Sequence, residues 1–389
     1  MKVVFIGQKG IPSLAGGVER HVEELAVRLA KEPVTDVVVY TRPWYTAKKL
    51  AEHNGVRLVS LPSLHSKHLD AISHTFIAVL HAAFIERPDI IHIHAVGPAL
   101  LTGLARVLRP KAKVVVTFHC IDRQHQKWSK PAKLMLWLGE WMAMKFAHEV
   151  ITVSKNLKQY AYEVYGRTTT HIPNGVAEMT LQSASIIEQQ FGLQANTYIL
   201  MVSRLVRHKG AHHLIKAYEQ LTTNKKLVIV GNSAFTEDYE AEIKVLAKDN
   251  PNIIFTGLQT GKTLAELYSN AYLFVLPSES EGLPLVLLEA GAYGKALLAS
   301  DIPANLEIVE AAGLSFENTN VEDLKLKLEE LLQNPEAVKL LGKQARQVVL
   351  THYHWNDITK KTVELYRDLL MCYTPQCVQI PDQISHPIR

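Results

Sequence analysis

The sequence has only three cysteines, Cys120, Cys372 and Cys377, and none sits in the Cys/His spacing of a zinc site. A disulfide scaffold is excluded, and so sparing a use of cysteine suits a reducing, cytoplasmic compartment. Long apolar runs are also missing. The longest, 74–85 and 134–147, fall short of the ~18–20 residues of a membrane span, and the second carries Glu140 and Lys145. There is no Asp-x-Asp pair to hold a divalent ion against a phosphate. The G-x-G-x-x-G fingerprint is absent, which weakens a nicotinamide-dependent reading. Few aromatics interleave with the basic residues, so nucleic acid is set aside as a partner.

What is present fits a globular protein of two ordinary domains: 389 residues, 47% apolar, mean hydropathy +0.01. The net charge of +4 is unevenly spread. Residues 1–173 hold 23 Lys/Arg against 13 Asp/Glu, and the remainder 19 against 25. A basic N-terminal half calls for an anionic partner, such as a membrane surface or a phosphorylated acceptor.

The most informative stretch runs from 271 to 292. A short apolar run, 271–276, reads as a buried parallel strand. It breaks at Pro277 and Ser278, gains backbone freedom at Gly282, and turns into a helix from Pro284, taken as its first position. Free N–H groups of Leu285 and Val286 at that helix start would bind an anion. Glu281 and Glu289 flank the site, ~7–8 Å of helix separating Glu289 from Pro284. Carboxylates at that separation can accept from the hydroxyls of different parts of one extended ligand, such as a ribose and a hexose.

The chain in order alternates strand and helix. Residues 2–7 read as a first strand rather than a signal peptide, followed by a loop with Gly16 and Gly17 and an amphipathic helix over 18–31. Strand, glycine loop and helix open a doubly wound nucleotide-binding unit. Strands are expected at 36–40, 56–60, 90–94, 113–119, 149–153 and 169–172, with helices at 72–87, 97–108, up to 148, and 155–164 behind a Ser154 cap. After a polar segment, 182–194, a second α/β unit follows. Its strands are expected at 198–202, 226–230, 253–256, 271–276 and 296–299, with a loop at 300–307 and helices at 321–332, 335–350 and 355–371. The division is 1–175, 176–354 and an irregular tail, 372–389, with the helix 355–371 returning to the first unit. The polar residues gather after strands, where open α/β sheets bind ligands: Gly16, Gly17, His94, His119, Arg204, Lys209, Gly231 and Glu281. Arg204 and Lys209 share one such loop and suit a diphosphate. His92 and His94 share a strand face, but no third metal ligand is evident at a sensible spacing.

These residues together resemble glycosyltransferase family 4, retaining enzymes of the GT-B fold, in which two Rossmann-like domains face each other across a cleft. The matching pieces are Gly16-Gly-Val-Glu19, Thr117-Phe-His119, Ser203-Arg204 with Lys209-Gly210, and Glu281-Gly-Leu-Pro-Leu-Val-Leu-Leu-Glu289, the E-x7-E signature. The opening Gly7-Gln-Lys-Gly-Ile-Pro12 is similar to members that build bacterial surface polysaccharides. The resemblance implies that Arg204 and Lys209 hold the donor diphosphate, with Gly16 or Gly17 approaching from the other domain. It implies that Glu281 contacts the donor sugar, Glu289 the ribose, and His119 the reacting end. Gly231 and Leu258 would lie beside the base, and Gly282, Leu285 and Val286 beside the phosphates. It further implies transfer from a nucleoside-diphosphate sugar to a saccharide or lipid-linked acceptor, with retained configuration and no metal or other cofactor. Two alternatives remain: a GT-B sugar-nucleotide epimerase, and a non-catalytic nucleotide-sugar-binding partner. The acceptor is expected near 63–68 and 119–127. The basic, Trp-bearing stretch 127–145 is a candidate for docking at an anionic membrane on its cytoplasmic face.

Overall fold

The computed structural model describes residues 1–371 apart from 15, 46–49, 65, 67, 68, 125–127, 234, 235 and 249. His65, Lys67 and His68 of the expected acceptor loop, Lys127, and the tail with Cys372 and Cys377 therefore lie outside the described residues.

Among the described residues, fourteen strands form two sheets. The first contains β1 (Lys2–Ile6), β2 (Asp36–Thr41), β3 (Glu52–His53), β4 (Val56–Ser60), β5 (Ile90–His94), β6 (Lys113–Phe118), β7 (Glu149–Thr152) and β8 (Thr170–His171). Their spatial order is β3-β4-β2-β1-β5-β6-β7-β8, parallel except for the β3–β4 pair. The second contains β9 (Tyr198–Val202), β10 (Lys226–Val230), β11 (Ile253–Gly257), β12 (Leu273–Leu276), β13 (Ala296–Ser300) and β14 (Gly313–Phe316). It is wholly parallel, in the order β11-β10-β9-β12-β13-β14. The strand order reverses beside β1 in the first sheet and beside β9 in the second. Both are points where adjacent loops diverge and leave a crevice.

Both faces of each sheet are covered, which is why the strands read as continuous apolar runs. Val4 and Ile6 point into one layer with Ala78, Val96 and Ala143. Val3 and Phe5 point into the other with Leu25, Leu29, Ile358 and Tyr366. That alternation is the two-residue period of a strand. The second layer includes the helix Trp355–Met371, which packs on the helix Gly17–Leu29. The Tyr366 hydroxyl lies 2.6 Å from His92 Nδ1, fastening this last helix to the first sheet.

The chain passes between the sheets twice, and the passages touch. Val176 donates to the Tyr353 carbonyl (2.7 Å), and Trp355 donates to the Val176 carbonyl (3.1 Å). Gly175 is needed here because a Cβ would stand 2.5 Å from the buried Trp355 ring.

Several elements differ from expectation. The polar segment 182–194 contains a helix, Ile186–Phe191. A distant carboxylate holds its start: Glu266 Oε2 accepts from the N–H groups of Ser185, Ile186 and Ile187. The loop expected at 300–307 enters the helix Pro303–Ala312 and then β14, whose Phe316 is buried. The helix expected over 97–108 is two pieces, Val96–Ala99 and Thr102–Leu108. The one expected over 72–87 is Asp70–His81 continued by a π-helical turn, Ala82–Glu86.

Candidate active site

Loops at the carboxyl ends of β1, β6, β9, β10 and β12 meet across the space between the sheets. They enclose a cavity of about 480 Å³, within the usual range for a small-molecule site. Twelve of the residues singled out from the sequence line it: Gly16, Gly17, His119, Arg204, Lys209, Gly231, Leu258, Glu281, Gly282, Leu285, Val286 and Glu289; His92 and His94 are buried behind the lining.

Glycines let these loops approach backbone to backbone. A Cβ on Gly231 would lie 1.8 Å from the Ser203 carbonyl oxygen, and one on Gly210 would lie 1.9 Å from that of Pro277. The loops after β9, β10 and β12 are thus stacked with no side chain between them. The Glu279 N–H adds a bond to the His208 carbonyl (2.8 Å). Gly282 does the same across the cleft, where a Cβ would stand 1.6 Å from the His119 carbonyl oxygen. Gly17, the first residue of its helix, faces Leu285 of the opposite half with room to spare.

The helix after β12 is Leu285–Ala292, so Pro284 is its N-cap rather than its first residue. Proline brings no capping oxygen, and the N–H groups of Leu285 and Val286 have no acceptor among the described residues. They remain available to an anion in the cavity, at the positive end of the helix dipole.

Arg204 and Lys209 reach the cavity from the loop after β9. Lys209 Nζ is 2.5 Å from Glu281 Oε1, so two groups read separately from the sequence are one ion pair here. Arg204 has no carboxylate partner among the described residues, and its charge is available to a ligand. Burial raises the carboxyl of Glu289 above the ordinary range. Arg20, from the helix after β1, opposes that shift from 4.0 Å, and the Tyr268 hydroxyl donates to Glu289 Oε2 at 3.3 Å. A buried carboxylate with few donors is poised to accept from ligand hydroxyls.

His119 is buried at the cavity wall, with its Nε2 3.0 Å from His94 Nδ1. His94, without His92, has two further histidines beside it that spacing along the chain does not reveal. His21, His94 and His119 converge with ring nitrogens within 4.8 Å of one another. Sequence spacing hides this because His21 comes from a helix, His94 from the end of β5 and His119 from the loop after β6. The His92 ring lies 4.2 Å from that of His94 but its nitrogens turn elsewhere, to Tyr366 and, at 2.7 Å, to Thr117 Oγ1. The cluster is a hydrogen-bonded, neutral one. Burial first, then neighbouring histidines, push His92, His94 and His119 well below the usual value, and burial takes His21 down to about 4.

Sequence reasoning missed three contributors. Arg20 directly follows the Gly16–Glu19 motif but was not singled out with it. Tyr268, stacked parallel on Tyr293 at 5.2 Å, borders Glu289 from another helix. Asn174, not singled out from the sequence, bonds to both halves. Its Nδ2 donates to the Leu283 carbonyl (2.7 Å) and its Oδ1 lies 2.9 Å from His21 Nδ1. Its position between a strand end and Gly175 was the available signal.

Two outcomes follow from this geometry. Gly282→Ala should force the cleft apart and reduce kcat/KM at least tenfold, about 1.4 kcal/mol, with the melting temperature little changed; wild-type kinetics would contradict the contact. Burial pushes His21, His74 and His212, and the half-buried His171, below the ordinary imidazole value to about 4. The unfolded chain therefore binds more protons in that window, and stability should fall as pH drops from 6.5 towards 4. Glu289 and Glu307, with raised pKa values, act in the opposite sense but are outnumbered. A melting temperature that is flat between pH 7 and about 4.5 would count against neutral buried histidines.

Comparison with known proteins agrees with this architecture. Residues 15–178 match the family described as Glycosyltransferase Family 4, and residues 184–348 match Glycosyl transferases group 1. The chain is 26% identical over 399 residues to the alpha-maltose-1-phosphate synthase of Mycobacterium tuberculosis, covering 94% of this chain and 99% of that one. Sucrose-phosphate synthase from Thermosynechococcus elongatus superposes with a TM-score of 0.81 at 22% identity, over 95% of this chain and 99% of that one. Anabaena HepE, in complex with UDP-glucose, gives a TM-score of 0.80 at 20% identity, over 95% of this chain and 100% of that one. With two facing parallel sheets, a cavity at both strand-order reversals and the two family matches in succession, the chain is a glycosyltransferase of the GT-B fold.

Proposed function

We propose that the chain transfers a hexose or deoxyhexose from a nucleoside-diphosphate sugar to a saccharide or lipid-linked acceptor. The transfer retains the donor's anomeric configuration and needs no metal, and it serves cell-surface polysaccharide or glycolipid synthesis on the cytoplasmic side of a membrane. The observation that carries this reading is the set of positive groups lining one cavity: Arg204, with no carboxylate partner among the described residues, Lys209, and the helix start at Leu285, which has no side-chain cap. They can neutralise a diphosphate as it leaves, the task a divalent ion performs elsewhere. Binding of UDP-glucose by HepE, which shares the fold, supports the same ligand class.

Each residue then has a task. Arg204 grips the diphosphate bidentately, and Lys209 adds a point charge. Glu281, oriented by Lys209, accepts from hydroxyls of the donor sugar. Glu289 accepts from the ribose hydroxyls. Gly231 and Leu258 border the base. His119, neutral and held by His94, bonds to the sugar near the reacting carbon. The bond from the anomeric carbon to the phosphate oxygen breaks, and its electron pair leaves with the nucleoside diphosphate. The acceptor hydroxyl attacks from the same face, and its proton passes to the departing phosphate oxygen. Contact between Gly282 and the His119 carbonyl keeps the two halves close, which limits hydrolysis of the donor by water. An epimerase or a purely binding role is not favoured by this set of groups.

Turnover in Arg204→Ala and Lys209→Ala tests the reading. Each should lose at least tenfold in kcat, about 1.4 kcal/mol, and wild-type turnover should be indifferent to EDTA. NMR of the product should show the donor's anomeric configuration. Near-normal turnover in both variants, an inverted product or loss of activity in EDTA would contradict it.

A further inference from the structure

We propose that the outward face of the helix Lys130–Phe146 docks on an anionic lipid surface. This helix is amphipathic in the reverse of the usual sense. At 3.6 residues per turn, Leu134, Trp137, Leu138 and Trp141 share one face, with Met135 at its edge. These five side chains are between 36% and 57% exposed. The inward face carries Gly139, Glu140, Ala143 and Met144.

Gly139 packs so closely that a Cβ would stand 2.1 Å from the Val96 carbonyl oxygen, which fixes which face points inward. Glu140 is the helix's single carboxylate, and it is fully buried. Arg123 Nε lies 3.2 Å from it, and the hydroxyls of Tyr160 and Tyr165 donate to it at 2.8 and 2.7 Å. The negative charge is therefore hidden and neutralised, and the apolar groups face out.

The surrounding charge selects the occupant. Lys130 and Lys145 lie on the outward face near its two ends, and Lys133 borders it. From Arg106 to Lys145 the sequence has nine Lys/Arg and two carboxylates, one of them the buried Glu140. An exposed apolar patch rimmed by cations suits a bilayer with anionic headgroups: the indoles and aliphatic chains enter the interface and the ammonium groups meet phosphates. A second copy docked on the same face would set these lysines against their equivalents. The helix follows the loop after β6, which carries His119 to the cavity wall, so the docking face and the cavity belong to neighbouring stretches of the chain.

This surface goes beyond the transfer reaction, and its test reads no turnover. The purified protein is sedimented at low ionic strength with vesicles of phosphatidylglycerol and phosphatidylcholine, or of phosphatidylcholine alone. It should favour the anionic vesicles at least about tenfold. The double variant Trp137→Ser/Trp141→Ser should lose at least about tenfold of that binding. Lys130→Glu/Lys145→Glu should lose it as well. Leu326→Ser/Leu340→Ser, at exposed leucines of the other half, should bind as wild type. Circular dichroism checks that all variants fold. No binding to anionic vesicles, equal binding to neutral ones, or full binding by the tryptophan variant would overturn the proposal. So would a wild-type dimer that this variant makes monomeric in analytical ultracentrifugation.

Discussion

The whole site depends on backbone meeting backbone without side chains between. Gly282 lies against the His119 carbonyl across the cleft, Gly231 against Ser203, and Gly210 against Pro277. Each contact brings polar main-chain groups and loop-borne cations into a small volume that any Cβ would prop open. A hydrogen bond from Asn174 to the Leu283 carbonyl reinforces the crossing, beside the place where both interdomain passages are tied together. The cavity is therefore a product of the closed arrangement. Each sheet alone supplies only half of its walls.

Charge is distributed to match. One wall of the cavity is positive, from Arg204, Lys209 and a helix start. The opposite wall is backed by histidines that burial keeps neutral. The carboxylates fall into two kinds. Glu281 is oriented by its ion pair with Lys209, whereas burial raises the pKa of Glu289 and Arg20 only partly offsets this. Two acids eight residues apart thus meet different parts of the cavity in different electrostatic settings.

Much of this was legible in the sequence. Apolar strand runs followed by glycine loops marked both sheets and the edge where ligands collect. The run from Glu281 to Glu289 identified the helix start and its flanking acids. Contacts between distant residues were not legible. Ile186–Phe191 is helical although its segment is polar, because Glu266 caps it from 79 to 81 residues away. The helix Pro303–Ala312 began with a proline that reads equally as a loop. The histidine cluster joins a helix to a strand end and a loop, and Arg20 reaches Glu289 from the other half, so spacing along the chain carries no trace of either.

The central claim is that the cationic wall of this cavity binds a nucleoside diphosphate without a metal. Titration calorimetry with UDP, GDP, ADP and dTDP, each in the presence of EDTA, on wild type and Lys209→Ala addresses it most directly. The account predicts that one of them binds wild type tightly in EDTA and binds the variant at least about tenfold more weakly. Binding that requires a divalent ion, or no binding by any of the four, would contradict it.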